Sequence, residues 1–367
     1  MRADWILTEN FRLLESQKVT FSPGINVITG ENAQGKTTLL EAVYLLSGGK
    51  SFRAGADREL IAFDSDRACV TGGFFSGERE QKIELVFNRG RSRQMKLNGA
   101  RIGAGDLRGA LKTILFSPDD LGLVRGPASG RRRMMDAAIS QLRPGYASFL
   151  ADYSRIYENK LRILKDWREK PSLLEPLDEF SRQLAVFSAK LIRYRAAFAR
   201  KLRDAAAPIH REFSAGREEL SLSYTTVSTV LDPSASEKEI FEAVMERQEQ
   251  LKQAELDAGS CLVGAHKDDL AISINGADAR SFASQGQTRT AALSVKLAER
   301  DIFLEDTGEM PVLLLDDVLS ELDAARQEFV LNRIGGGQTL VTCCEEETVS
   351  RLLRGKILRV EKGGVRE

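Results

Sequence analysis

A mixed α/β sheet protein interrupted by a helical lobe is the fold class this sequence predicts, and three observations predict it. A glycine-rich segment lies between an apolar run suited to a strand and one suited to a helix. A second apolar run, Pro311-Val312-Leu313-Leu314-Leu315, ends in the acid pair Asp316-Asp317 almost a whole chain later. Between the two, the hydrophobic spacing becomes helical. Two halves of one sheet are therefore expected to flank an insertion. With 367 residues, 42% of them hydrophobic and 29% charged, the chain has the length and composition of about two globular domains.

The first segment, Gly30-Glu31-Asn32-Ala33-Gln34-Gly35-Lys36-Thr37-Thr38, matches G-x-x-x-x-G-K-[ST]. Residues 25–28 read as a buried strand and residues 39–46 as the next helix, so the loop joins a strand end to a helix N-terminus. Backbone N–H groups there, with the positive end of the helix dipole, form an anion site suited to a triphosphate. In this pattern Lys36 reaches the β- and γ-phosphates, Thr37 offers its hydroxyl to Mg²⁺, and Thr38 contacts the α-phosphate.

The second apolar run has the form of a buried central strand that delivers an acid to the metal at its C-terminal edge. Asp316 is the candidate Mg²⁺ ligand, and Asp317 is the candidate base that orients an attacking water. Before this strand, Ser284-Gln285-Gly286-Gln287 opens a helical stretch over 290–305. After it comes Ser320-Glu321-Leu322-Asp323. Each short motif is weak alone. In this order the four resemble the head of an ABC-type P-loop ATPase, an α/β fold with a β-rich N-terminal part. That resemblance implies ATP and Mg²⁺ as cofactors and two ATP molecules sandwiched between two chains. Ser284, Gln285, Gly286 and Gln287 of one chain would cover the γ-phosphate held by the loop of the other, with Ser320 and Asp323 as D-loop residues. Asp317 stands where many such ATPases carry Glu, which implies slow hydrolysis. Thr342-Cys343 stands where a switch histidine is usual, so γ-phosphate sensing there is expected to be different or weak.

Further motifs narrow the resemblance. Asn10-Phe11-Arg12, Ser51-Phe52-Arg53, Phe116-Ser117-Pro118-Asp119-Asp120-Leu121, Gly126-Pro127, Arg131-Arg132-Arg133 before Asp136, and Gly264-Ala265-His266-Lys267-Asp268-Asp269-Leu270 are similar to elements of the RecF family, relatives of the Rad50 and SMC heads. Ala265 and Lys267 depart from the family's Pro and Arg, and Lys cannot reproduce a bidentate Arg contact. The resemblance implies an ATP-dependent homodimer on single-stranded, double-stranded and gapped DNA, with weak, DNA-stimulated ATP hydrolysis. It also implies RecR, RecO and RecA as partners, and roles in recombinational repair, replication restart, RecA loading and the SOS response. By resemblance to Rad50-type heads, Arg12 helps to bind the nucleotide phosphates.

The domain reading is an ATPase head over 1–130, an inserted helical lobe over 131–258, and the rest of the head over 259–367. Within the lobe, Tyr146, Leu150, Tyr153, Tyr157, Leu161 and Leu164, and then Phe180, Leu184, Phe187, Leu191, Tyr194 and Phe198, step by three and four. Pro171 and Pro176 separate these stripes, as in a helical hairpin. The spacing makes the aromatic residues core rather than a base-stacking surface. Lys+Arg 53 against Asp+Glu 53 gives zero formal net charge, so any DNA footprint is a local patch. Arg131, Arg132 and Arg133 are the candidate DNA contacts, with a solvated helix start as the plainer reading. Arg193, Arg195, Arg200, Lys201 and Arg203 read as a solvated face.

Cys69, Cys261, Cys343 and Cys344 lack metal-ligand spacing and only two histidines are present, which disfavours a zinc site. No apolar run approaches membrane length, so a cytoplasmic protein with no membrane contact is expected. A transporter's nucleotide-binding subunit is the alternative, disfavoured by the S-F-R and R-R-R segments. An SMC-like structural ATPase would need long heptad arms.

Overall fold

A computed structural model describes residues 1–48, 50–343 and 355–367; Cys344 lies outside them. The chain forms two compact units, one of residues 1–122 with 292–367 and one of residues 123–291.

The first unit holds two six-stranded sheets. In the first, Gln17–Thr20, Arg2–Glu9, Arg67–Ser76, Arg79–Asn88, Arg91–Leu97 and Ala100–Arg101 run antiparallel in that spatial order. The second sheet carries the motifs. Ile25–Thr29 pairs in parallel with Lys356–Glu361 on one side and Thr339–Cys343 on the other. Thr339–Cys343 is in turn parallel to Val312–Leu315, which is parallel to Thr113–Phe116. Gly364–Arg366 closes the far edge as a hairpin. Val312, Leu313, Leu314 and Leu315 are all buried, as expected of a central parallel strand covered on both faces.

Helix Lys36–Gly48 is buried over most of its circumference because it lies between layers, its long apolar run interrupted by the buried acid Glu41. Leu39, Leu40, Val43 and Leu46 join a single core with Ile6, Val70 and Leu85 of the first sheet and Ile28, Leu314 and Leu340 of the second. Gly72 permits the close approach. A Cβ there would lie 2.2 Å from the Leu46 side chain.

The second unit is built on helices Ala128–Leu142, Tyr146–Asp166, Leu177–Phe213 and Glu237–Ala258. The short turn Pro171–Leu174 separates the two stripe-bearing helices. Tyr146, Tyr153, Leu164, Leu184, Leu191 and Phe198 are buried, so the stripes are core. A three-stranded antiparallel sheet, Leu220–Thr225, Asp269–Ile274 and Ala277–Asp278, completes the unit. Its limits of 123–291 are wider than the 131–258 expected from helical periodicity. Leu222 pairs with Ile272, and such a pairing draws the residues after 259 to this side.

Candidate nucleotide-binding site

The loop from Gly30 to Thr38 sits where the sequence places it, between strand Ile25–Thr29 and helix Lys36–Gly48. Gly30 and Gly35 adopt φ of 152° and 117°, and Ala33 takes 63°, so the backbone makes turns that favour glycine. A Cβ on Gly30 would lie 2.3 Å from the Val360 carbonyl oxygen. Glu31, Asn32 and Ala33 are exposed, Gln34 is half-buried, and Lys36 and Thr38 are buried. Lys36 folds back, its Nζ donating to the carbonyls of Gly30 at 2.7 Å and Glu31 at 3.1 Å.

The C-terminal hairpin clasps this loop, a feature the motifs did not reveal. Lys362 N–H donates to Gln34 Oε1 at 2.6 Å, and Gly363 N–H donates to the Gln34 carbonyl at 3.1 Å. Lys362 and Gly363 hold φ of 50° and 85°, and a Cβ on Gly363 would stand 1.9 Å from the Leu13 carbonyl oxygen. The spacing between this hairpin and the loop is over 300 residues, beyond the reach of local pattern.

Across the sheet the acid pair meets the loop. Thr37 Oγ1 donates to Asp316 Oδ1 at 2.8 Å, and Thr342 Oγ1 donates to the same oxygen at 3.0 Å. Thr342 Oγ1 also accepts from the Asp317 N–H at 2.8 Å. Burial pushes the Asp316 carboxyl up, the two hydroxyl bonds hold it down, and the neighbouring Asp317 pushes it up again. Asp317 has φ 50°, and its Oδ1 is buried without a hydrogen-bond partner. A buried carboxylate oxygen left orphaned is a place where a ligand or water belongs. Among the described residues no group of three His, Cys, Asp or Glu side chains could cage a metal. Mg²⁺ does not require one: it takes one or two protein oxygens beside substrate phosphates and water. The Thr37 and Asp316 oxygens fit that donor set.

Arg12 lies with Glu41, its Nε 2.7 Å from Oε2, and Glu41 is fully buried on the helix that follows the loop. Glu41 also accepts from the Ser51 hydroxyl, which in turn accepts from the N–H groups of Arg53 and Ala54. The N-F-R and S-F-R motifs are thus joined through one acid not singled out in the sequence.

Ser284, Gln285, Gly286 and Gln287 fall in the second unit, at the start of helix Gln285–Thr307. Ser284 and Gln285 are exposed. The Gln287 N–H donates to Ser284 Oγ at 3.2 Å, and the Ser284 N–H donates to Gln287 Oε1 at 2.8 Å. This is a capping box, so Ser284 has a local structural role as well as any role toward phosphate. Ser320 Oγ donates to the Asp317 carbonyl at 2.6 Å, and Asp323 caps helix Ala324–Arg333 by accepting from the Arg326 N–H.

The arginine run divides. Arg131 was an expected DNA contact, but it is buried and fully used within the second unit. Nε and one terminal nitrogen donate to the Asp269 carboxylate at 2.6 and 2.8 Å, and the other terminal nitrogen serves the carbonyls of Leu123 and Gly126. The bidentate pair consumes the group that would face a phosphate. Arg132 donates to the Asp268 carbonyl at 2.6 Å and is half-buried, whereas Arg133 is exposed. Arg195 likewise is no surface residue: it is buried between Asp136 and Asp268. Among the described residues, no helix is long and apolar enough to cross a membrane.

Comparison with known proteins agrees with this architecture. A family model described as the RecF/RecN/SMC N terminal domain matches residues 4–365. The chain is 39% identical to the DNA replication and repair protein RecF of Listeria innocua serovar 6a, with both chains covered completely. It is also 39% identical to RecF of Bacillus subtilis strain 168, over 97% of each. A solved structure of the recombination mediator protein RecF-ATPrS in the RecFOR pathway superposes with a TM-score of 0.93 at 35% identity, covering 99% of this chain and 97% of that one. The Smc head domain from Pyrococcus furiosus shares the fold, with a TM-score of 0.56 at 16% identity over 99% and 95% of the two chains. Full-length identity near two in five, together with a loop, acid strand and sheet order of the ATPase-head kind, places this chain in the RecF family of DNA replication and repair proteins.

Proposed function

We propose that this chain binds ATP and Mg²⁺ at the loop, hydrolyses ATP slowly, and uses that cycle to close and reopen a homodimer on DNA. The observation that carries the reading is the contact chain Thr37–Asp316–Thr342–Asp317, which ties a loop hydroxyl to both strand-end acids. Solved RecF structures named for ATP and ATPrS, at 36% and 35% identity, support it.

In this reading the backbone N–H groups from Gly30 to Thr38 cradle the phosphates, and Lys36 exchanges its loop carbonyls for the β- and γ-phosphates. Thr37 and Asp316 would hold Mg²⁺, which supplies charge neutralisation on the phosphates when bound. Asp317 orients the attacking water through the carboxylate whose Oδ1 is orphaned. Being one methylene shorter than Glu, it reaches less far, which makes turnover slow. Arg12 steadies the phosphate side of the site from its place beside Glu41. Ser284, Gln285, Gly286 and Gln287 act on the nucleotide of a second copy, with Ser320 and Asp323 along the seam.

Closure would bring two sets of basic side chains onto DNA, Arg133 first among them and Arg132 beside it. Membership in this family supports the finer biology: recombinational repair and replication restart in the cytoplasm, on single-stranded, double-stranded and gapped or junction DNA. Cooperation with RecR and RecO, help in RecA loading and a part in the SOS response belong to the same proposal.

The test is DNA affinity at several salt concentrations, with and without ATP, for wild type and Ser284→Arg. ATP should steepen the salt dependence of the wild type, because each added phosphate contact contributes roughly −0.9 to the slope of log K against log salt on duplex DNA. Ser284→Arg should bind ATP yet lose that increment. Equal slopes and affinities in all four conditions would remove the gating. Lys36→Ala that binds labelled ATP as tightly as wild type would remove the loop assignment.

A further inference from the structure

We infer that Thr342 is a positioning residue that couples the metal-holding Asp316 to the water-orienting Asp317, an inference that rests on the proposed roles of those two acids. Thr342 occupies strand Thr339–Cys343, which lies parallel to Val312–Leu315 with Val341 opposite Leu315. It is therefore the residue alongside the point where the acids leave the sheet. Its side chain is 1% exposed.

The single hydroxyl serves both acids at once. Its proton goes to Asp316 Oδ1 at 3.0 Å, and its oxygen accepts the Asp317 N–H at 2.8 Å. The second bond matters because Asp317 has φ 50°, a left-handed conformation that disfavours a residue with a Cβ. Thr342 thus holds the backbone turn that aims the Asp317 carboxylate. The first bond matters because Asp316 Oδ1 now accepts from Thr37 as well. A Thr37 hydroxyl can present a lone pair to a cation while its proton stays on Asp316 Oδ1, and Thr342 is the second donor that fixes the Asp316 carboxylate plane. No other side chain among the described residues bridges the two acids.

The side chain that stands beside both acids is thus a hydroxyl. Threonine adds no titrating group at neutral pH, and its action is purely one of orientation.

The experiment measures affinity for a fluorescent ATP analogue in EDTA and in Mg²⁺, together with steady-state turnover, for wild type, Lys36→Ala, Thr342→Val, Thr342→Ala and Thr342→Ser. Thr342→Val keeps the shape and removes the hydroxyl. It should bind nucleotide in EDTA as wild type does but lose about 10–100-fold of the Mg²⁺-dependent gain, the usual cost of removing a group that orients a metal ligand. Its kcat should fall with it, and Thr342→Ala should behave alike. Thr342→Ser retains the hydroxyl and should restore both. Undiminished Mg²⁺ enhancement in Thr342→Val and Thr342→Ala overturns the inference, as does a Thr342→Ser protein as impaired as Thr342→Val, which would mean that packing alone is at stake. Failure of the underlying site reading looks different: wild type and Lys36→Ala would then bind the analogue equally.

Discussion

Arg195 in the second unit and Asp317 in the first show two opposite treatments of buried polar atoms. Arg195 gives both Nε and a terminal nitrogen to Asp136 at 2.9 Å, and the other terminal nitrogen to the Ala265 carbonyl and Asp268 at 2.6 and 2.7 Å. Asp268 is in turn met by the hydroxyls of Tyr224 and Thr226. Asp317, by contrast, keeps Oδ1 buried without a partner on a left-handed backbone turn. Closed networks rigidify a core, whereas an incomplete polar site is built for something that arrives later. The motifs of the two regions look equally charged in sequence, yet only one region leaves an acid oxygen waiting.

Breaking the closed network should give the largest effect on stability. Arg195→Ala leaves Asp136 and Asp268 without their shared cation, and removing one partner of a buried pair costs about 3–5 kcal/mol. Urea unfolding should show this loss, while Asp317→Asn should unfold near wild type and lose turnover. Its ATP-bound form should accumulate as a dimer in light scattering. An Arg195→Ala protein as stable as wild type would erase the distinction between the two regions.

A second test uses pH. Burial pushes the His266 imidazole down to about 4, with Lys267, Arg132 and Lys160 adding to the effect and the Cys261 carbonyl opposing it. Nε2 donates to that carbonyl at 3.0 Å, and Nδ1 accepts from the Tyr153 hydroxyl at 2.7 Å, so the ring is neutral in the fold. The unfolded chain takes up a proton near pH 6.5 and the folded chain only near 4. Stability is therefore full above about 6.5 and falls through that window, by about 3 kcal/mol in total for a shift of this size. His266→Gln should flatten this part of the stability–pH curve; an unchanged slope would mean that the ring titrates alike in the folded and unfolded chain.

The clasp on the loop gives a smaller effect, and one felt in binding. Gly363→Ala places a Cβ against the Leu13 carbonyl at a positive φ, costing at least about 1–2 kcal/mol of local strain. The bonds to Gln34 should loosen, so nucleotide affinity should fall more than global stability. Equal affinity would show that the hairpin is ornamental to the loop.

These contrasts mark what local sequence can report. The loop, the acid strand and the helical stripes were legible because each is a short pattern whose meaning lies within a turn or a strand. Local sequence places Arg131 and Arg195 at the surface because Asp269 and Asp268, which they meet, stand 138 and 73 residues away in the chain. The R-R-R and H-K-D-D segments meet as a structural network, which neither discloses alone. Local sequence marks Thr342 only by the lack of a histidine, since its two bonds depend on parallel pairing with a separate strand. The limits of the second unit shifted for the same reason: periodicity finds helices, whereas the pairing of Leu220–Thr225 with Asp269–Ile274 is a long-range event.

The smallest effect on stability should come from Arg133, and it sharpens the comparison within a single run of three arginines. Arg133 is exposed, so Arg133→Ala should change unfolding free energy by no more than about 0.5 kcal/mol, as surface substitutions usually do. Arg131→Ala should instead strand Asp269, which lies within a bidentate pair, and destabilise the second unit. If Arg133 meets a DNA phosphate, its removal should weaken binding uniformly across DNA sequences and make the slope of log K against log salt shallower by roughly 0.9 for each copy of the chain on the DNA. Arg133→Lys keeps the charge and should keep the slope, because counterion release counts charge rather than fork geometry. A slope unmoved by Arg133→Ala would place the DNA footprint elsewhere, while an Arg131→Ala protein of wild-type stability would mean that its burial beside Asp269 contributes nothing to the fold.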